Sequence, residues 1–238
     1  MPEEEFKPQT SKEVDFSQVS YFIFDYDGTL ADSREAYTQT FIELLEQDFG
    51  IDPIASREYY TTSFGKSLGA QFQEAVSKFA RKEIQDTSEI ESRFWELVKP
   101  KPAQLLPGAV ETLENLKQAG YKIAIWTNCR SDVLEFKLKE LGLANFVNFQ
   151  ISETVGSRDE VKGSVLFERI AKHFEIQPEV LARQAVVVGD GERDMEAAKS
   201  CNVPPIGITT SKTSEQLRNA GAKLIINQLP ELLEILKR

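Results

Sequence analysis

Four aspartates, a threonine, an asparagine and a lysine fall where a parallel sheet would gather them, and together they suit phosphoryl transfer. Asp25 lies within the apolar run YFIFDY (21–26), and Asp27 follows it before Gly28-Thr29. Two residues apart, both can project from the same side of a strand terminus. Thr127-Asn128 ends a second apolar run, and Gly189-Asp190 ends another, with Asp194 one turn further on. Lys162 opens the helix that precedes that last strand. Oxygen ligands from Asp25 and Asp190 suit magnesium, a hard cation that keeps several waters. Its charge would let an anionic nucleophile approach an anionic phosphate. Carboxylates can serve as nucleophiles, and a second carboxyl can protonate the leaving oxygen and then activate water. A hydroxyl, a backbone amide near a helix start and a fixed ammonium would hold the transferring oxygens. Paired aspartates before a glycine are often only a turn. Asp190 and Asp194 at a second strand end favour the chemical reading.

The elements that must position these residues are marked by apolar runs and by glycine and proline. Strands are expected at 21–26, 121–127, 146–151, 185–188, 205–209 and 224–226. Helices are expected at 163–174, 193–200, 213–220 and 230–237, with others closed by Gly120 and Gly142. This alternation implies a parallel sheet covered on both faces, whose ligands collect at the carboxyl ends of its strands. Residues 34–104 instead read as helices, with patches at 67–80 and 87–99 and a stop at Gly50 and Pro53. Lys99-Pro-Lys-Pro102 cannot continue a helix and reads as a linker. The expected organisation is therefore a polar leader (1–19), an α/β core (20–33 and 105–238) and an inserted helical cap (34–104).

The motifs Asp25-Tyr26-Asp27-Gly28-Thr29-Leu30, Thr127-Asn128, Lys162 and Gly189-Asp190-Gly191-Glu192-Arg193-Asp194 resemble, in order and spacing, those of the haloacid dehalogenase superfamily. Pro107-Gly108 and the ending around Ser214–Leu236 resemble its phosphoglycolate phosphatase-like branch. The resemblance covers about residues 20–237. It implies a Rossmann-like parallel sheet with helices on both faces, plus the inserted cap. It also implies a magnesium-dependent phosphatase that passes through an aspartyl-phosphate. Asp25 would be nucleophile and metal ligand, and Asp27 acid/base, with its backbone carbonyl on the metal. Thr127, Asn128 and Lys162 would bind phosphate, while Asp190 and Asp194 would hold the metal. In relatives a proline often follows the lysine; Gly163 follows Lys162 here, which leaves Arg158 and Lys172 as substitutes. Specificity is expected from the cap, where Lys66 between Gly65 and Ser67 would suit a carboxylate-bearing substrate such as phosphoglycolate.

Bulk properties narrow the partners. A net charge of −10 argues against nucleic acid, and no apolar run approaches the ~20 residues needed to span a bilayer. The acidic start, including Glu3–Glu5, lacks the pattern of a signal peptide, so a cytoplasmic setting is expected. The expected partner is a small phosphorylated metabolite, and the expected state a monomer or small homo-oligomer. Cys129 and Cys201 read as buried thiols, His173 as structural or exposed, and Trp126 as core. The alternatives are a dehalogenase, a phosphomutase and a silent binding protein on the same fold. A dehalogenase has little need for Asp27 and a metal cluster. A mutase uses the same residues but shields the intermediate from water. A silent protein would have lost a motif aspartate, and none is lost.

Overall fold

The computed structural model describes residues 14–64, 66–152 and 162–237. The expectations for the segment 1–13, Gly65 and Arg158 lie outside these residues. Six strands form one parallel sheet: β1 (Tyr21–Phe24), β4 (Lys122–Thr127), β5 (Phe149–Ser152), β6 (Ala185–Gly189), β7 (Pro205–Ile208) and β8 (Leu224–Ile226). Their order is β5-β4-β1-β6-β7-β8. The chain leaves β1 towards β4 on one side and returns to β6 on the other, so β1 marks the point where strand order reverses. Open α/β sheets bind ligands in the crevice at that point.

The pleat sorts the strand residues between two apolar layers. Phe22 and Phe24 of β1, Ile123 and Ile125 of β4, and Val186 and Val188 of β6 face α5 (Ala109–Gln118), α6 (Ser131–Glu140) and α11 (Glu231–Leu236). Ile23, Trp126 and Val187 face the opposite layer. It is built from α7 (Ser164–His173), α8 (Pro178–Gln184) and α9 (Glu192–Ser200). The tenth helix, α10 (Ser214–Ala220), packs against α9 near the β7–β8 edge. Both faces are buried, which is why these strands are nearly continuous apolar runs in the sequence.

The helical block comprises α1 (Arg34–Phe49), α2 (Pro53–Ser63), α3 (Leu68–Ala75) and α4 (Ser88–Val98). It leaves the sheet after β2 (Ala31–Asp32) and returns through β3 (Gln104–Leu105), which pairs antiparallel with β2. Phe41, Tyr60, Phe72 and Phe94 fill its interior, with Phe41 stacked on Tyr60 at 4.3 Å and on Phe72 at 4.6 Å between ring centroids.

Several expected elements shift in detail. β1 stops at Phe24 rather than 26, because Tyr26 turns back to accept the amides of Leu30 and Ala31. The 67–80 helix becomes α3 followed by a π turn over Val76–Ala80. Lys162 sits in a turn just before α7 rather than opening it. Among the described residues, no helix is long and apolar enough to cross a membrane.

Candidate active site

The ends of β1, β4 and β6 converge on one cavity. Asp25 directly follows β1, and its amide donates to the Val188 carbonyl at 2.9 Å, so the sheet itself aims the side chain. Asp25 as a whole is 4% exposed. The Lys162 ammonium lies 2.5 Å from Asp25 Oδ1 and 2.7 Å from Asp194 Oδ1. Thr29 donates to Asp25 Oδ2 at 3.3 Å. Asp194 stands in the first turn of α9 and accepts the Gly191 amide at 3.0 Å, so it caps the helix as well as meeting the lysine. The Ser211 hydroxyl donates to Asp190. Two glycines make this approach possible. Gly28 has φ +84°, and a Cβ there would strike the Asp190 carboxylate; a Cβ on Gly189 would strike Asp194.

Asp27 is held separately. Its carboxylate accepts from Ser33 and from Thr127, the latter at 3.4 Å, while the nearby Tyr37 hydroxyl donates to Cys129 Sγ at 3.6 Å. Burial pushes the Asp27 carboxyl above the usual carboxylate range, and the neighbouring hydroxyls, Ser33 foremost, partly offset this. Such a group can keep a proton for a leaving oxygen. Thr127 also accepts the Cys129 amide at 3.1 Å. Asn128 lines the cavity, and its carboxamide oxygen is buried without a partner. A substrate hydroxyl or a water would satisfy it.

Carboxylate oxygens of Asp25, Asp190 and Asp194 lie within 4.8 Å of one another. Burial pushes the Asp25 carboxyl well up, and Lys162 only partly opposes it. Burial, reinforced by the charge of Asp194, pushes Asp190 up to about 6. Burial also disfavours the Lys162 cation, but Asp194 and Asp25 outweigh this and hold it above the usual lysine range. One ammonium faces three buried carboxylates, so the cluster carries excess negative charge. A divalent cation with oxygen preference fits both the donors and the charge. The Asp27 carboxylate stands outside this cluster.

Of the residues singled out from sequence, Asp25, Asp27, Thr127, Asn128, Lys162, Asp190 and Asp194 all line this cavity. Lys66 lines it too, but its ammonium is held by Glu74 at 2.5 Å. Lys172 is exposed in the last turn of α7 and does not line the cavity. His173 is exposed and stacks on Phe149 at 4.1 Å, and Trp126 is fully buried. Ser33, Ser211 and Tyr37 escaped the sequence reading. Only Ser211 left a signal, in the polar Thr209-Thr210-Ser211 that ends β7.

A family model described as haloacid dehalogenase-like hydrolase matches residues 22–208. The chain belongs to this family. The match spans β1 to β7 and takes in every residue of the cluster around Asp25. Relatives named phosphoglycolate phosphatase, the branch that its motifs resemble, are among the proteins the chain matches. A protein of Colwellia psychrerythraea named phosphoglycolate phosphatase is 26% identical over 228 residues, covering 91% of this chain and 96% of that one. A protein of Bacillus mycoides named pyrophosphatase is 22% identical over 222 residues, covering 93% and 98%. The solved structure of a predicted phosphatase from Clostridium acetobutylicum covers 92% of this chain and 99% of its own. Its TM-score is 0.77 at 24% identity, a likeness of fold.

Proposed function

We propose that the protein hydrolyses a small phosphate monoester in a magnesium-dependent reaction, through a phosphoryl group carried transiently on Asp25. Its class, phosphoric monoester hydrolase, follows from the family and from relatives named as phosphatases. The observation that carries the mechanism is the Lys162 ammonium set between Asp25 and Asp194, beside Asp190.

Magnesium would be held by Asp25, Asp190, Asp194 and the Asp27 carbonyl, and would supply charge neutralisation for carboxylate and phosphate alike. In this reading Asp25 attacks phosphorus, and the ester P–O bond breaks as Asp27 gives its proton to the leaving oxygen. Asp27 then takes a proton from water, whose oxygen attacks the same phosphorus and frees Asp25 and inorganic phosphate. Lys162, Thr127 and Asn128 hold the phosphoryl oxygens. Residues 34–104 act as a cap that excludes water, consistent with the return of the chain through the β2–β3 pair. A cytoplasmic setting completes the proposal and accords with the buried free thiols Cys129 and Cys201. Phosphoglycolate as substrate draws support from relatives of that name and from the position of Lys66. The ion pair of Lys66 with Glu74 weighs against it.

Asp27→Asn should lower kcat by about 10²–10⁴-fold for alkyl phosphates, the usual worth of general acid–base catalysis. The loss should shrink for aryl phosphates, whose leaving groups need less protonation. Steady-state phosphate release with both substrate types checks this, and equal losses would assign Asp27 another role.

Metal binding should depend on pH. Because the Asp190 carboxyl in the metal-free fold sits at about 6, above its ordinary 3.8, magnesium must displace a proton at pH 5 but not at pH 8. Apparent affinity should therefore weaken below pH 6. The same shift has a definite sign for stability. Its contribution is fully present below 3.8 and is lost as pH rises through 6. Magnesium should thus raise Tm more at pH 8 than at pH 5. Calorimetric titration and thermal melts at the two pH values measure both effects, and pH-independent binding would contradict this account.

A further inference from the structure

The cavity that receives Asp25 continues beneath α1–α4, where its wall is aromatic. Its volume is about 710 Å³, within the range of sites that enclose drug-sized ligands. A two-carbon alcohol or a second phosphate would leave most of it unfilled. Tyr37, Tyr60, Phe64, Leu68, Phe94 and Trp95 line this side. The rings brace one another: Trp95 stands edge-on to Tyr37 at 5.6 Å and to Phe94 at 5.1 Å, and Phe64 packs on Tyr60 at 4.9 Å between centroids. Phe64 keeps 37% exposure at the end of α2, apolar surface that a ligand in the cavity would cover.

The charge on this wall is already committed. Between residues 37 and 98, Lys66 is the one charged side chain among the described residues lining the cavity. Glu74 holds its ammonium at 2.5 Å, and Tyr59 donates to the same carboxylate at 2.8 Å. Arg34, where α1 begins, donates to the Thr210 carbonyl and the Ser211 hydroxyl. Arg193 and Lys212 also line the cavity, from α9 and from the segment after β7, and Lys212 borders an adjoining pocket together with Phe64. In-line displacement puts the leaving group on the side of phosphorus away from Asp25, and so towards the helices.

We propose that the leaving group of the natural substrate carries an uncharged planar ring, which docks against Tyr37, Phe64 and Trp95. This rests on the phosphatase reading and names the substrate class of the same site. The P–O bond to a ring-bearing alcohol breaks, the alcohol departs with the proton of Asp27, and water supplies the oxygen that releases phosphate. Aromatic surface favours such a group over an anionic one, which would be desolvated against that wall.

The test compares kcat/KM, in excess magnesium, for 2-phenylethyl phosphate, ethyl phosphate, phosphoglycolate and inorganic pyrophosphate. The first two release alkyl alcohols, so their ratio isolates the ring from the intrinsic reactivity of an aryl ester. The ring should raise kcat/KM by about 30-fold, the size expected for burying one phenyl group. Phosphoglycolate and pyrophosphate should not exceed ethyl phosphate. Phe64→Ala should lower the phenylethyl-to-ethyl ratio about fivefold, a ratio that partial misfolding cannot move. A ratio near one in the wild type, or phosphoglycolate or pyrophosphate as the best substrate, overturns the ring and leaves the phosphatase standing. No phosphate release from any of the four overturns both.

Discussion

Asp25→Asn should lower kcat by at least about 10⁴-fold, the scale set by removal of a reacting nucleophile from an otherwise intact site. An amide oxygen is a poor nucleophile and a weaker ligand for a hard cation, so attack and metal binding both suffer. The fold should persist, because the amide keeps the shape of the carboxylate and the backbone bond from Asp25 to Val188 remains. Asparagine also removes one of three crowded acids, so Tm of the metal-free variant should not fall much. The wild type, with magnesium and a beryllofluoride mimic, should carry the mimic on Asp25, and the variant should not. Steady-state rates, melts and a structure of the adduct check these outcomes. Appreciable turnover by Asp25→Asn would remove the covalent route.

Lys162→Ala should act on stability and catalysis together. Its ammonium is the partner of both Asp25 and Asp194, and its side chain is 10% exposed. Removing one member of a buried ionic cluster typically costs about 3–5 kcal/mol, because the remaining charges stay buried without compensation. The carboxylates can relieve part of this by taking up a proton, so the loss should be smaller at pH 5 than at pH 8. Magnesium should raise Tm more in the variant than in the wild type, since it replaces the missing positive charge. It cannot replace the contact with a phosphoryl oxygen, and kcat/KM should still fall about 10²–10³-fold, the usual cost of one lost donor to developing charge. Melts with and without metal, alongside phosphate release, test both parts. Wild-type activity in Lys162→Ala would return the role to Arg158.

The sheet was legible because its strands are buried on both faces, and an apolar run such as AVVV before Gly189-Asp190 suits a buried strand better than any short helix. α2 and α8 were not legible, and for one reason. Pro53 and Pro178 occupy the first turn of their helices, where proline is well tolerated, but proline after Gly50 reads as a stop. Asp52 accepts the Ala55 amide at 2.9 Å and caps α2, so the same few residues end one helix and begin the next. β2 and β3 are two residues each, too short for any periodicity, and they exist because the chain leaves and rejoins the sheet side by side. The boundary read at 104/105 from Pro102 falls within β3.

The site divides in a similar way. Aspartates beside glycines at strand ends betray themselves by type and position. Serines in loops do not. Ser33 and Ser211 matter here only because folding brings them to Asp27 and Asp190. Lys66 shows the converse. It was visible as a lone cation between helices, but its partner Glu74 is set by how α3 follows the turn, and the pair occupies that ammonium at the aromatic wall.

The sequence by itself determined the candidate reacting groups and their order along the chain, because these depend on residue type and on local punctuation. It determined which strands carry them for the same reason. Tertiary structure alone decided which oxygens the ammonium meets, since Lys162 and Asp25 are 137 residues apart and adjoin only when β1 pairs with both β4 and β6. It also decided the depth and lining of the cavity. Those follow from the packing of α1–α4 over the sheet ends, a long-range fit that leaves no periodicity in the chain.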